Sequence, residues 1–170
     1  MESVPFDNRS ASATQHRSCK LSGMIVVGVD GSESSGEALA WALAEARLRD
    51  DAICVVCAWD IEPIAYGAIG FVPPVDPASS ERAAEQTVAH MLHAHAGVAQ
   101  GVRVERRIVQ GSAADVLVDA AKGADLLVVG SRGHGAAAGL LLGSVSTRSA
   151  HLASCPVVIV RHEELPANAR

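Results

Sequence analysis

The stretch from Asp125 to Ser146 constrains the fold more than any other part of the chain. Its short apolar run, Leu126 to Val129, predicts a buried strand. A glycine-rich loop follows, and Gly143-Ser144 begins a segment predicted to be helical. This combination favours an anion site, because glycines let backbone N–H groups approach a phosphate and a helix start adds unpaired donors. The alternative is a long flexible connection, which compact domains seldom retain without a use.

Strand patterns and helix patterns alternate along the rest of the chain. The predicted strands are Met24 to Asp30, Ala52 to Trp59, Val102 to Val109, Leu126 to Val129, and Cys155 to Arg161. The predicted helices run from about Ser32 to Arg49, from about Ser79 to Ala96, briefly after Ser112, and from Ser144 to Ala153. This alternation predicts an α/β fold with an open, doubly wound parallel sheet of five strands and helices on both faces.

Length and charge indicate one domain and limit its partners. We predict a single domain over 24–162, a disordered extension over 1–23 and a flexible tail over 163–170. The segment 60–78 carries four prolines and two glycines, so it is predicted to be a loop. The net charge of -5, without a basic block, argues against nucleic acid as the main partner. No apolar run has the length of a membrane span, and a cytoplasmic location is expected.

Cysteine and histidine pairs in the chain suggest metal or redox sites at first sight. Cys54 and Cys57 lie three residues apart in a predicted strand, so their side chains should point to opposite faces and remain buried free thiols. Such thiols suit a reducing compartment. His90, His93 and His95 do not share one face of their predicted helix, so solvated side chains, with His95 at the core edge, are favoured over a metal site.

The glycine spacing resembles the nucleotide-binding signature of the universal stress protein family. Two residues separate Gly130 from Gly133, nine separate Gly133 from Gly143, and Ser144 follows. No lysine follows as in the Walker pattern, and the spacing is not that of the dinucleotide fingerprint. Asp30-Gly31-Ser32 after the first strand strengthens the resemblance, which covers about Met24 to Arg161.

The resemblance implies a Rossmann-like sheet in the order 3-2-1-4-5 and an adenine nucleotide as ligand. Strands one and four would then be neighbours, and their carboxyl ends would flank one crevice at the switch point. Asp30 would lie near the adenine, and the backbone near Ala58 would frame the base. The residues expected around ribose and phosphates are Gly130, Arg132, Gly133, Gly143, Ser144 and Ser146, and Val129 and Val145 are further expected cofactor-binding residues. ATP, with or without Mg2+, is the expected ligand, and cyclic AMP remains open.

Other interpretations of the polar residues compete with these roles. Asp30 could cap the helix that follows it, Arg132 could be a solvated loop charge, and we assign His134 to the surface. Three functions remain: a nucleotide-binding stress sensor, a scaffold independent of nucleotide, and a slow ATPase. We expect little or no hydrolysis, because the loop has no lysine and no paired carboxylates accompany it. Relatives pair their last strand across a two-fold axis, so a homodimer through 155–161 is expected.

Overall fold

A computed structural model describes residues 23–60, 76–134 and 141–161 of the 170-residue chain. The strands are β1 (Met24–Gly28), β2 (Ala52–Trp59), β3 (Val104–Gln110), β4 (Leu126–Gly130) and β5 (Val157–Val160). The helices are α1 (Glu33–Arg49), α2 (Pro77–Ala94), α3 (Ala96–Ala99), α4 (Ala113–Ala120) and α5 (Ser144–Leu152). The predictions for residues 1–22, for the tail 163–170 and for most of the 60–78 loop lie outside the described residues.

The five strands form one parallel sheet in the order β3-β2-β1-β4-β5. β1 lies at the centre, with Val26 opposite Cys54 of β2 and Leu127 of β4. These three strands are almost continuously apolar because both of their faces are covered. The predicted fold class and strand order are confirmed, and β3, with its alternating polar residues, forms one edge of the sheet.

Two apolar layers hold the helices on opposite faces of the sheet. One layer packs α1 and α2 against side chains such as Ile25, Val27 and Cys57. The other packs α4 against side chains such as Val26 and Cys54, with α5 alongside. The two cysteines therefore belong to different layers, and both are buried free thiols, as the strand periodicity predicted. Burial raises the pKa of each thiol to about 11.

Several predicted boundaries were wrong by one or two residues. β1 ends at Gly28 rather than Asp30, although the Val29 N–H still donates to Val56 O at 2.9 Å. α2 begins at Pro77 rather than Ser79, because Asp76 caps it by accepting from the Ala78 N–H at 3.1 Å.

The bounds of two further strands and the position of Gly23 also differ from the prediction. β3 begins at Val104 rather than Val102, and β5 covers only Val157–Val160 instead of 155–161. Proline has no N–H to donate to the sheet, and only the carbonyl of Pro156 takes part, accepting from the Leu127 N–H at 3.0 Å. Gly23 belongs to the fold rather than to the extension, because its carbonyl accepts from the Ala52 N–H at 2.8 Å.

His90 and His93 of α2, and His95 directly after it, have the exposure predicted from their helical spacing. His90 and His93 are exposed, and His95 is half-buried with Nδ1 2.7 Å from the Met91 carbonyl oxygen. Within the described ranges, no group of three or more His, Cys, Asp or Glu side chains could hold a metal ion. None of the helices in those ranges is long and apolar enough to cross a bilayer.

Candidate functional site

A cavity of about 260 Å³ opens at the carboxyl ends of β1 and β4. This is the switch point of the sheet, because the chain continues to β2 on one side of β1 and β4 lies on the other. All ten residues predicted for the site line this cavity: Asp30, Ala58, Val129, Gly130, Arg132, Gly133, Gly143, Ser144, Val145 and Ser146. The volume is close to the lower end of the range for small-molecule sites.

Asp30 is held by the turn that begins α1. Its Oδ1 accepts from the Ser32 N–H at 2.9 Å and from the Ser32 hydroxyl at 2.6 Å. Ser32, not Asp30, is the N-cap of α1, because its Oγ accepts from the Ser35 N–H at 3.3 Å. Asp30 thus organises the turn without capping the helix, and its other oxygen, Oδ2, lies against Gly133.

The environment of Asp30 keeps its carboxylate ionised. Burial by itself would raise the pKa of this carboxyl, but hydrogen bonds from Ser32 and Ser35 and the nearby His134 outweigh burial. The net pKa lies below the ordinary value of 3.8. A negative, fixed hydrogen-bond acceptor therefore stands on the β1 side of the cavity at neutral pH.

The glycines of the loop after β4 are required for different reasons. A Cβ on Gly130 would lie 2.6 Å from Oγ of Ser34 and 2.8 Å from its backbone C and O, so this glycine lets α1 approach β4. A Cβ on Gly133 would collide with Oδ2 of Asp30, so this glycine makes room for the carboxylate. Both glycines serve contacts within the protein itself.

Gly143 is different, because the protein leaves room for a side chain at this position. Among the described residues other than its chain neighbours, the nearest atom to a Cβ there would be Ser131 O at 3.5 Å, and the φ of -78° suits any residue. Gly143 is also the N-cap of α5, and no side chain among the described residues caps that helix. The first amides of α5 therefore present donors at the cavity, where Ser144, Val145 and Ser146 line the wall.

The hydroxyl of Ser146 connects α5 to the loop after β4. It lies 3.0 Å from Ser131 O and 3.0 Å from Gly143 O, and the residue is buried. The Gly143 N–H also donates to Ser131 O at 2.7 Å, and the Ser131 N–H donates to Val160 O at 2.7 Å. Ser146 therefore fixes the loop around the cavity, and its predicted contact with ribose or phosphate stays a prediction.

Arg132 is half-buried and lines the cavity. Its backbone N–H reaches Ser34 Oγ at 3.5 Å, which adds to the contact between this loop and α1. An arginine at this position can give charge-assisted hydrogen bonds to an anion in the cavity. Its pairing with a phosphate remains a prediction.

Several cavity residues were missed by the sequence analysis. The apolar wall opposite Asp30 includes Ala113 and Leu117 of α4, which look like ordinary core positions in the sequence. Leu117 also fills the space that a side chain on Gly28 would need, since a Cβ there would lie 2.7 Å from Leu117 Cδ1. His134, assigned to the surface, is exposed but lines the cavity, and its Nε2 lies 3.1 Å from Asp30 O. Its position next to Gly133 was the feature of the sequence that could have indicated a place at the cavity.

Comparisons with known proteins agree with this architecture. The sequence model of the universal stress protein family matches residues 23–161. A universal stress protein of Mycolicibacterium smegmatis is 37% identical over 150 residues, which are 85% of this chain and 50% of that protein. The chain therefore spans about half the length of this curated relative.

Solved structures with similar folds include two complexes with an adenine nucleotide. A universal stress protein in complex with cAMP is 29% identical with a TM-score of 0.59, over 81% of this chain and 95% of that one. A universal stress protein family protein from Arabidopsis thaliana with AMP bound shares the fold. It is 24% identical with a TM-score of 0.56, over 85% of this chain and 97% of that one. The match over 23–161, together with the β3-β2-β1-β4-β5 sheet and the glycine loop at its switch point, shows that this chain belongs to the universal stress protein family.

Proposed function

We propose that this chain binds an adenine nucleotide, with ATP the expected form, in the cavity between β1 and β4. The observation that carries the proposal is the position of Gly143: it leaves space beside the N-terminus of α5, which no described side chain caps, in the cavity that the Asp30 carboxylate also lines. The structure in complex with cAMP, at 29% identity, supports an adenine nucleotide as the class of ligand.

The charge distribution favours one orientation of the nucleotide. Phosphates fit the α5 end, where backbone N–H groups and the positive end of the helix dipole favour negative charge. The Asp30 carboxylate would repel phosphate and would accept hydrogen bonds from ribose hydroxyls or base amino groups. The apolar wall formed by Val56, Ala113 and Leu117 suits one face of a planar base.

We expect binding with little or no hydrolysis. Phosphoryl transfer needs a group that orients the nucleophile and cations that neutralise developing charge. Of the described residues that line the cavity, only Asp30, Arg132 and His134 carry titratable or charged side chains. Backbone donors hold a ground-state phosphate about as well as a transition state, and such uniform binding does not accelerate chemistry. Occupancy by nucleotide would then report its concentration, as a stress-response sensor requires.

The homodimer remains part of the proposal. β5 forms the second edge of the sheet, opposite β3, and consists of Val157, Val158, Ile159 and Val160. All four are half-buried in the single chain, so pairing with a second copy would cover an apolar edge. Sedimentation equilibrium at micromolar concentration should give the dimer mass, and a monomer would contradict this part of the proposal.

A glycine substitution tests the nucleotide site. Gly143→Val should fold normally but fill the space for the phosphates, and losing one or two charge-assisted hydrogen bonds predicts a loss of affinity of at least about 10-fold. Gly97→Val is the matched control, because nothing lies within 4 Å of a Cβ there. Isothermal titration with ATP, ADP, AMP and cAMP measures both variants, and mass spectrometry of undialysed protein identifies the bound ligand.

Three results would each contradict part of the proposal. If Gly143→Val binds with the affinity of the unmodified protein, the phosphates do not lie at the start of α5. If none of the four nucleotides binds, the scaffold function independent of nucleotide becomes the better description. Phosphate release from ATP and Mg2+ near one turnover per second that disappears in Gly143→Val would show an enzyme instead of a sensor.

A further inference from the structure

His134 joins the two loops that border the cavity. Its Nε2 lies 3.1 Å from the backbone carbonyl oxygen of Asp30, although the two residues are 104 positions apart in the chain. A carbonyl oxygen can only accept, so Nε2 carries the hydrogen and donates it. The same nitrogen would lie 3.7 Å from a Cβ on Gly31, which places the imidazole directly over the turn. The ring therefore spans the cavity mouth from the loop after β4 to the loop after β1.

We infer that His134 is a positioning residue, which fixes the Asp30 turn against the glycine loop and slows the escape of the bound nucleotide. The inference rests on the proposed function and goes beyond it by assigning a role to a side chain outside the glycine spacing. His134 need not touch the ligand for this role, because it acts through Asp30.

The contacts around Asp30 show why this hydrogen bond matters. From the α1 side, Ser32 holds Oδ1, and the Asp30 N–H reaches Ser35 Oγ at 3.3 Å. From the β4 side, the contacts are Gly133 against Oδ2 and His134 on the carbonyl. Gly133 supplies van der Waals contact and no side-chain hydrogen bond. Among the described residues, His134 therefore supplies a side-chain hydrogen bond from the β4 loop to the Asp30 turn.

This link has a consequence for ligand kinetics. A nucleotide that contacts the Asp30 turn should dissociate more easily when that turn is mobile, and the His134 bond restrains the turn. The turn contains Gly31, whose φ is +87°. Because glycine has access to many other backbone conformations, the turn can change its shape once the bond is lost. Removing the imidazole should raise the dissociation rate while the association rate changes little.

Stopped-flow kinetics with a fluorescent ATP analogue tests the inference. His134→Ala should dissociate about 3- to 10-fold faster, the factor expected for one hydrogen bond. His134→Gln should restore the rate to within about twofold, because its amide N–H can reach the same carbonyl. His90→Ala is the control: it removes an exposed histidine of α2 that does not line the cavity.

Hydrogen exchange in the ligand-free protein separates this inference from the proposed function. In His134→Ala, the amide of Ser32, which donates to Asp30 Oδ1, should exchange faster than in the unmodified protein, and His134→Gln should restore its protection. Unchanged dissociation and unchanged exchange in His134→Ala would overturn the inference, as would a glutamine variant that behaves like alanine. Absence of nucleotide binding by the unmodified protein would instead overturn the proposed function, and the exchange result would still decide the role of His134.

Discussion

Replacing Gly130 by alanine should destabilise the fold, although this glycine belongs to the nucleotide-binding spacing. The new methyl group would lie 2.6 Å from Ser34 Oγ and 2.8 Å from the backbone C and O of Ser34. The hydroxyl can rotate away, but the two backbone atoms belong to the first turn of α1. Ser34 is buried and its Oγ accepts from the Arg132 N–H at 3.5 Å. The contact can therefore be relieved only if the helix and the strand separate.

The size of the effect follows from these distances. Reaching an ordinary contact requires a separation of about 0.6 Å between packed elements, and protein interiors do not have free space of that size. Overpacking of this kind costs about 1–3 kcal/mol, and backbone atoms on both sides favour the upper half of that range. For a domain of this size the midpoint of thermal unfolding should fall by roughly 4–10 °C.

Thermal unfolding of ligand-free protein, followed by circular dichroism, measures this effect. Gly97→Ala is the control, because nothing lies within 4 Å of its Cβ, and it should leave the midpoint unchanged or raise it slightly. Gly143→Ala should also be nearly neutral, since its Cβ makes only ordinary contacts. A Gly130→Ala midpoint within about 1 °C of the control would show that α1 and β4 are not packed as described.

Three further predictions concern charge and thiol chemistry. The folded-state pKa of Asp30 is lowered, so its stabilising contribution is present above the ordinary value of 3.8 and is lost as pH falls through the folded-state value. Below pH 3.8, acid unfolding of Asp30→Asn should therefore depend less steeply on pH than unfolding of the unmodified protein. Cys54 and Cys57, with pKa values of about 11, should resist iodoacetamide at pH 8 until urea unfolds the protein, as peptide mass mapping would detect. Arg148 and Asp115 form an ion pair of 2.7 Å with both side chains half exposed, so Arg148→Ala should lower the free energy of unfolding by less than about 1 kcal/mol in urea titrations.

The secondary structure of this chain could be predicted from the sequence because its elements have local causes. A buried parallel strand needs a continuous apolar run, and Ala52–Trp59 was predicted residue for residue. Helix ends were predicted less accurately. Asp76 caps α2 and Pro77 begins it, and the spacing of apolar residues gives no information about such a cap. The order of the strands came from the family resemblance, since alternation alone is compatible with other orders.

Eight of the ten predicted site residues lie within 129–146, where the family spacing fixes a local loop between a strand and a helix. Asp30 and Ala58 join them in the cavity because β1 lies between β2 and β4. The sequence could not distinguish the separate reasons for its glycines. Gly130 is required by Ser34 and Gly133 by Asp30, whereas Gly143 leaves space free. The reasons for Gly130 and Gly133 each depend on a partner about a hundred residues away, and such a partner is known only when the packing of the sheet is known.

The apolar wall and the bond across the cavity were likewise decided by the tertiary structure. Leu117 has the spacing of any core-facing helical residue, and only the position of α4 over β1 brings it to the cavity. His134 was assigned to the surface, and it is exposed, although it also lines the cavity. It contacts Asp30 because β1 and β4 are neighbours, and the pairing of two strands a hundred residues apart depends on the packing of every element between them. The sequence alone thus determines the strands, the helices and the glycine loop, and the tertiary structure decides which residues those elements bring together.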